Sequence, residues 1–287
     1  MRNIGGAVVK RKSLAEDSTQ NKSTSALSNK HIVNTRAVHQ AIVLDKLIHA
    51  RGGISLPYPC IAIVPPDDTT LLDAALQDAV NGKYEWVVFT SSNTVYSVAE
   101  RLEALALDKS IASAKIAVIG PATQVATQNR LNRAADIVAD EHIAESLAKA
   151  VNPLPNTKIL LPQSTIARPT LAQQLTASGA SVTTVGAYRN VIGSGGITLH
   201  AQLQQHNIDA VTFTSSSTFE NLLIRLRDEG GDIDELRQVC LAAIGPKTAD
   251  TIQAHGFTAH VIAQEYTLEG LVDTLEDYFR KERSHAH

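Results

Sequence analysis

Short apolar runs alternate along the chain with longer segments in which apolar residues recur every three or four positions. Runs such as WVVFT (86–90) and KILLP (158–162) have the length and the β-branched content of buried strands. Segments such as AVHQAIVLDKLIHARG (37–52) and SNTVYSVAERLEAL (92–105) have the apolar spacing of one helix face. Strands and helices that alternate in this way predict parallel sheets covered by helices, and hence an α/β fold.

The predicted strands are too many for one sheet in a chain of this length, and an internal repeat divides them. VVFTSSNT (87–94) recurs as VTFTSSST (211–218), and IAVIGPAT (116–123) recurs as LAAIGPKT (241–248). The two pairs are separated by nearly the same length of chain, which is typical of a duplicated unit. We therefore expect two domains, each with a five-stranded parallel sheet flanked by helices in a flavodoxin-like arrangement.

A second pair of similar segments indicates how the domains are ordered. Residues 31–59 and 158–188 both have the pattern of a strand, a turn, a helix, a glycine and an extended run that ends near a tyrosine. The first segment precedes the repeated motifs of its domain and the second follows those of its own, so one domain is expected to be discontinuous. A contiguous division near residue 155 is the alternative. The expected boundaries are a disordered tail at 1–27, a discontinuous domain at 28–57 and 190–287, an inserted domain at 62–186, and hinge crossings at 58–61 and 187–189 that form a two-stranded β linker.

Composition and charge limit the classes of partner. The chain has 287 residues, of which 44% are hydrophobic, and a formal net charge of −3. A near-neutral charge argues against bulk binding of nucleic acid or of a membrane surface. Cys60 and Cys240 form no CxxC pair, so neither a disulfide framework nor a zinc site is expected. No apolar run reaches the roughly 18–20 residues of a membrane span, and no secretory signal precedes the domains, so the cytoplasm is the expected location.

The repeated motifs carry the chemistry that the sequence offers. TSSNT (90–94) and TSSST (214–218) each lie where a strand ends and a helix begins. Serine or threonine there caps the helix, and the remaining N–H groups of the first turn favour an anion together with the helix dipole. In GPAT (120–123) and GPKT (245–248), proline at the first helical position loses no needed donor, and the threonine faces the same sheet edge. Helix capping without any ligand is the alternative for each copy.

A cleft between the two domains would bring these loops together. Ligands of open α/β sheets lie at the carboxyl ends of the strands, so domains that face each other would line one cleft with all four loops. Such a cleft suits a large ligand with several carboxylates or phosphates. Arg36 and Arg168 follow strands at matching places and are candidate anion contacts, while Tyr188 in the predicted hinge is a candidate proton donor. No GxGxxG after a strand, P-loop, HExxH or GxSxG motif is present, so neither a dinucleotide or P-loop site, nor a metal site, nor a serine hydrolase is expected.

The ordered set of motifs resembles one known family. FTSSNTV (89–95), AVIGPAT (117–123), LAAIGPKTAD (241–250) and the extended run ending in AYRN (187–190) are similar to those of uroporphyrinogen-III synthases. The resemblance implies a lyase of porphyrin, tetrapyrrole and heme biosynthesis with two α/β domains and an active site between them. It implies that hydroxymethylbilane, a linear tetrapyrrole with eight carboxylates, is cyclised to uroporphyrinogen III with inversion of ring D through a spiro intermediate. It also implies no metal and no cofactor.

The resemblance further implies roles for particular residues. Tyr188 matches the tyrosine that assists departure of the substrate hydroxyl. The expected substrate-binding residues are Thr35, Arg36, Ser91, Ser92, Asn93, Thr123, Arg168, Ser215, Ser216, Ser217 and Thr248. This sequence departs from the family pattern at Ala37, where proline often follows the opening Thr-Arg, and at the loop PQSTIAR (162–168), which lacks an Arg-Gly pair.

Two other functions share some of these features. A non-catalytic two-domain binder of an anionic metabolite would have the same hinge and the same four repeated loops at 90–94, 120–123, 214–218 and 245–248, the anion loops. A nucleotide-dependent transferase should show a nucleotide signature, which is missing. For the synthase, the expected partners are hydroxymethylbilane and, transiently, the preceding pathway enzyme, with no nucleic acid and no membrane. A monomer is expected.

Overall fold

The computed structural model describes residues 25–139 and 144–285. The predicted tail therefore lies outside the described residues as far as residue 24, and so does the start of the helix predicted over 141–150. The strands are β1 (His31–Asn34), β2 (Ile54–Pro57), β3 (Ile61–Val64), β4 (Trp86–Phe89), β5 (Lys115–Ile119), β6 (Ile137–Ala139), β7 (Lys158–Ser164), β8 (Ser181–Ile192), β9 (Ala210–Phe213), β10 (Cys240–Ala243) and β11 (Val261–Ile262). The helices are α1 (Val38–Ala50), α2 (Thr70–Val80), α3 (Ser92–Ala104), α4 (Pro121–Leu131), α5 (Ala144–Val151), α6 (Thr170–Ala177), α7 (Leu199–Gln204), α8 (Ser216–Asp228), α9 (Pro246–Ala254) and α10 (Leu268–His285), with a 3₁₀ helix at Ile233–Gln238.

The first sheet has the strand order β11–β10–β9–β1–β2, and all of its neighbouring strands are parallel. Successive residues of a strand point to opposite faces. Accordingly, Ile32 of β1 belongs to a hydrophobic cluster with α1 and α10, whereas Val33 belongs to a cluster with α8 and α9 on the other face. Helices thus cover both faces, as the continuous apolar character of these strands predicts.

The second sheet has the strand order β3–β8–β7–β4–β5–β6. Five of its strands are parallel, but β3 runs antiparallel to the end of β8, with Ile61 opposite Ile192 and Val64 opposite Arg189. The prediction of two largely parallel sheets flanked by helices is therefore confirmed: the parallel part of this sheet has five strands, and β3 joins its edge as a sixth, antiparallel strand. The reason is the twelve-residue length of β8. Its last residues extend beyond β7, and β3 pairs with the backbone groups left open there.

The packed part of the chain begins earlier than the sequence indicates. Leu27 is fully buried and Ala26 nearly so, in the cluster between α1 and α10. The Ser25 hydroxyl also donates to Glu276 Oε1 at 2.8 Å. Residues 25–27, which the sequence analysis assigned to the tail, therefore contribute to the core beside the first sheet.

Two short segments connect the sheets, and their backbones are packed against each other. Residues 58–60 lead from β2 to β3, and residues 193–198 lead from β8 to α7. A Cβ atom added at Gly193 would lie 2.2 Å from the carbonyl oxygen of Pro59, which is too close for any side chain. The same carbon at Gly195 would meet no atom within 4 Å. The glycine-rich stretch 193–196 therefore allows one connecting segment to contact the other.

We predict that Gly193→Ala lowers the free energy of unfolding by about 3 kcal/mol, because the new methyl group overlaps main-chain atoms that cannot move independently. Gly195→Ala is the matched control. Its backbone has φ +78°, so alanine there costs only about 1 kcal/mol of conformational strain. Urea denaturation of both variants measures the difference, and equal losses would contradict the packing described for Gly193.

Candidate functional site

The loop after β4 prepares a helix N-terminus for an anion. Ser91 has extended backbone angles and its Oγ accepts a hydrogen bond from the Thr94 N–H at 3.3 Å, which caps α3. The first N–H groups of a helix have no partner within the helix. With Thr94 already capped, the amides of Ser92 and Asn93 at the start of α3 are available for a ligand.

The N-terminus of α3 and that of a second helix border the same large cavity. Its volume is about 790 Å³, and it lies at the carboxyl ends of β4, β5 and β7. The start of α4 borders it because Gly120 adopts φ +76° and Pro121 occupies the first helical position. The lining includes Thr90, Ser91, Ser92, Gly120, Pro121, Thr123, Gln163 and Arg168. Two helix N-termini and an exposed guanidinium group make this cavity suited to carboxylates.

Tyr188 lies beside the loop that follows β4. Its ring is buried among apolar residues of the second sheet, with 7% of the residue exposed. Its hydroxyl is 3.5 Å from the Oγ of Ser91, which in turn is 3.0 Å from the Oγ1 of Thr94. The phenol is therefore fixed by packing while its polar end reaches the loop that borders the cavity.

A smaller cavity of about 260 Å³ lies between the two sheets. Arg36, Asn93 and Ser215 all line it, so residues predicted from both repeated motifs share one space. Burial lowers the pKa of the Arg36 guanidinium, which donates to the carbonyl of Gln40 at 3.1 Å. Within the described part of the chain Arg36 makes no ion pair, so the cavity presents a partly buried cation without a carboxylate.

Helix α1 contacts α3 directly across the same space. Gln40 Nε2 donates to Asn93 Oδ1 at 2.8 Å, and His39 Nε2 lies 3.2 Å from the same oxygen. The His39 ring also meets the edge of Tyr96 with centroids 5.8 Å apart. Sequence analysis did not identify Gln40 or His39, because polar residues on an amphipathic helix are usually solvent-facing and carry no pattern that distinguishes them.

The second pair of repeated loops is held together by hydroxyl groups. Ser215 caps α8 through a reciprocal pair of bonds with Thr218, and its Oγ lies 3.1 Å from that of Ser217. Ser216 Oγ accepts from Thr251 Oγ1 at 2.7 Å and donates to the Lys247 carbonyl at 3.3 Å. Thr248, in the first turn of α9, is buried. The N-termini of α8 and α9 are thus adjacent at the carboxyl edge of the first sheet.

Thr35 is not positioned as a ligand-contacting residue would be. It is fully buried, and its Oγ1 donates to the carbonyl of Thr212 at 2.6 Å. That hydrogen bond joins the end of β1 to the neighbouring β9. The Thr35 hydroxyl therefore connects two strands, and Thr35 is not among the residues that line either cavity.

The two cavities are lined by main-chain amides, hydroxyl groups and guanidinium groups. Among the described residues, no group of three or more His, Cys, Asp or Glu side chains is placed to hold a metal ion. No helix in this part of the chain is long and apolar enough to cross a membrane. Burial raises the pKa of the Cys240 thiol to about 12, so it is a poor nucleophile.

Comparison with known proteins identifies the family. The family model described as uroporphyrinogen-III synthase matches residues 43–273, which is most of the chain. The chain belongs to the uroporphyrinogen-III synthase family. This family consists of lyases of porphyrin biosynthesis, and synthase activity is accordingly assigned to this chain.

Individual relatives agree with this assignment. The uroporphyrinogen-III synthase of Synechococcus elongatus is 32% identical over 262 residues, which cover 89% of this chain and 97% of the relative. The crystal structure of the Helicobacter pylori uroporphyrinogen-III synthetase covers 87% of this chain and 99% of its own, with a TM-score of 0.54 and 14% identity. The similarity to the Helicobacter pylori structure shows the fold alone, with two largely parallel sheets flanked by helices.

Proposed function

We propose that this synthase binds hydroxymethylbilane between its two sheets and closes it to uroporphyrinogen III. The observation that carries the proposal is that paired helix N-termini lie at the carboxyl edge of each sheet, while Asn93 and Ser215, one from each pair, line the same cavity. A substrate with eight carboxylates needs many anion contacts spread over a long surface. Main-chain amides supply them without the desolvation that a cluster of cations would require.

We also propose that the two sheets belong to two domains joined by a hinge. Buried side chains around the second sheet all come from 72–188, and those around the first come from 26–60 and 199–279. Separate cores support a flavodoxin-like inserted domain at 62–186 within a discontinuous domain at 28–57 and 190–287. The antiparallel pairing of β3 with the end of β8 supports a two-stranded linker between them. Action in the cytoplasm as a monomer is part of the same proposal.

In the proposed mechanism, the protein contributes to catalysis mainly by holding the substrate in one folded conformation. Tyr188 donates a proton to the departing substrate hydroxyl and water leaves; the pyrrole N–H proton of the same ring is then lost, which restores the Tyr188 phenol and leaves an electrophilic azafulvene. Ring D attacks it through its substituted carbon, and the resulting spiro intermediate fragments and closes again with ring D inverted. Closure at the unsubstituted carbon gives the type I isomer when no enzyme holds the chain. Binding the carboxylates in one folded arrangement therefore decides the product, an orientation effect of up to several kcal/mol.

The proposed function is tested by supplying hydroxymethylbilane to the purified protein and resolving the product isomers. The substrate is generated in place by the preceding pathway enzyme, and a reaction without the synthase measures spontaneous closure. We expect type III product in the presence of this chain and type I in its absence. Type I product in both reactions would instead favour a non-catalytic binder of an anionic metabolite.

We predict that Arg36→Met raises KM for hydroxymethylbilane about 10-fold or more, because a charge-assisted hydrogen bond to a carboxylate is lost. Thermal stability should change little, since methionine retains the alkyl part of the side chain and the bonds lost are those from the guanidinium to Gln40. Arg51→Met serves as the control, since Arg51 pairs with Asp273 and Glu276 on another surface. Steady-state kinetics should show a raised KM for the first variant only; the same KM in both would remove Arg36 from the binding site.

A further inference from the structure

One face of α8 is directed at the segments that connect the two sheets. Asn221 and Arg225 of α8, and Glu229 directly after its last residue, follow each other at intervals of four, the spacing of a single helix face. Asn221 Nδ2 donates to the carbonyl of Cys60 at 2.9 Å, and Arg225 Nη1 donates to that of Pro59 at 2.5 Å. The helix therefore binds the main chain of the connection between β2 and β3.

Arg225 binds the other connection as well. Its Nη2 donates to the carbonyl of Gly195 at 3.1 Å, in the segment that follows β8. A planar guanidinium can serve two carbonyls in fixed directions, which a lysine ammonium does less well. A single side chain thus joins 58–60, 193–198 and α8.

Arg225 is buried, and its guanidinium group is surrounded by partners on several sides. The residue is 8% exposed, and its guanidinium carbon lies 3.7 Å from the centre of the Tyr58 ring. Glu229 Oε1 lies 3.1 Å from Nη2 and balances the charge. Burial of a cation is costly unless it is paired and hydrogen-bonded, and here the pairing groups come from both connections and from α8 itself.

We propose that Arg225 is a positioning residue that sets the orientation of one domain relative to the other. The proposal rests on the proposed function in one respect, namely that the substrate lies between the domains. Helix α8 begins at Ser215–Ser217, one of the anion loops, and continues to Arg225 two turns later. Because the same helix carries the loop and binds both connections, the angle at the hinge and the position of the loop are coupled. Arg225 does not touch substrate; it acts through the placement of the loop.

The first test compares Arg225 with an arginine that also binds main-chain carbonyls but lies within one sheet unit. Arg133 donates to the carbonyls of Ser110, Ile111 and Ala114. The variants are Arg225→Met, Arg225→Met with Glu229→Gln to avoid an unpaired carboxylate, Arg225→Lys and Arg133→Met. We expect the methionine variants at Arg225 to lower kcat on the order of 10-fold or more, since a shift of about 1 Å in a positioned group can lower a rate ~10²-fold. These variants should also release substrate that closes spontaneously to the type I isomer. Arg225→Lys should recover part of the loss, and Arg133→Met should keep the wild-type isomer ratio.

The second test measures orientation without activity. Spin labels on cysteines introduced at the exposed Gln128 and Gln253 report the distance between the sheets. We expect a broader distance distribution for Arg225→Met than for Arg133→Met or the wild type. If Arg225→Met does not fold, Asn221→Ala removes only the bond to Cys60 and should broaden the distribution less. Wild-type distances and isomer ratio in folded Arg225 variants would overturn the proposal. If the wild type itself makes no type III product, the proposed function fails, and the distance measurement still decides the role of Arg225.

Discussion

Replacing Ser92 with proline is expected to lower kcat/KM for hydroxymethylbilane by about 10- to 100-fold. Proline removes one main-chain N–H, and a hydrogen bond from an amide to a carboxylate is worth about 1.5–3 kcal/mol. The substitution should leave the helix intact, because Ser92 is its first residue and proline is favoured there. The preceding Ser91, with φ −157° and ψ 153°, already has the extended conformation that a following proline requires.

The matched control is Ser92→Ala, which removes the hydroxyl but retains the amide. Ser216→Pro and Ser216→Ala form the same pair at the second copy, where Ser215 is also extended. Circular dichroism and thermal unfolding establish that each variant is folded, and initial rates then give kcat/KM. If alanine and proline reduce kcat/KM equally, the side chains rather than the amides bind the substrate, and the proposal of main-chain recognition would be wrong.

Tyr188→Phe is expected to lower kcat by about 10²-fold with little change in KM, because a general acid acts in the transition state and contributes little to ground-state binding. The ring is buried in the core of the second sheet unit, so phenylalanine should retain its packing. Only the hydroxyl near Ser91 is removed. Single-turnover rates with hydroxymethylbilane measure the chemical step directly.

Tyr84→Phe is the control for this variant. Tyr84 is buried in the same hydrophobic cluster but precedes β4, so it lies at the opposite end of that strand from Ser91. Its variant should have wild-type kcat. If Tyr188→Phe also has wild-type kcat, proton donation by Tyr188 is excluded, and departure of the hydroxyl would depend on the substrate and bound water alone.

The helix starts that follow the strands were predictable because their signals are local. A serine at the end of a strand caps the next helix through its own neighbours, as Ser91 and Ser215 do. Proline at the first helical position, as in Pro121 and Pro246, likewise depends only on the adjoining turn. Two copies of each motif in the same order then supply the evidence for duplication that one copy lacks.

Contacts between distant segments were not predictable in the same way. The sequence predicts a two-stranded linker, but the register of β3 against β8, with Ile61 opposite Ile192, depends on how far β8 extends past β7, and no local pattern determines that length. The bond from Gln40 to Asn93 joins residues of two different helices. Thr35 shows the converse: its motif indicated a ligand contact, but its hydroxyl donates to Thr212 within the first sheet.

The amino-acid sequence by itself determined the alternation of strands and helices, the duplication, and the chemistry of the loops at the strand ends, because each follows from side-chain periodicity or from a few neighbouring residues. Tertiary structure alone decided which loops share a cavity, how the two connecting segments pack at Gly193, and that Arg225 binds both of them. Those features depend on where distant parts of the backbone meet, and a buried arginine stacked on Tyr58 has the same local sequence signal as an exposed one.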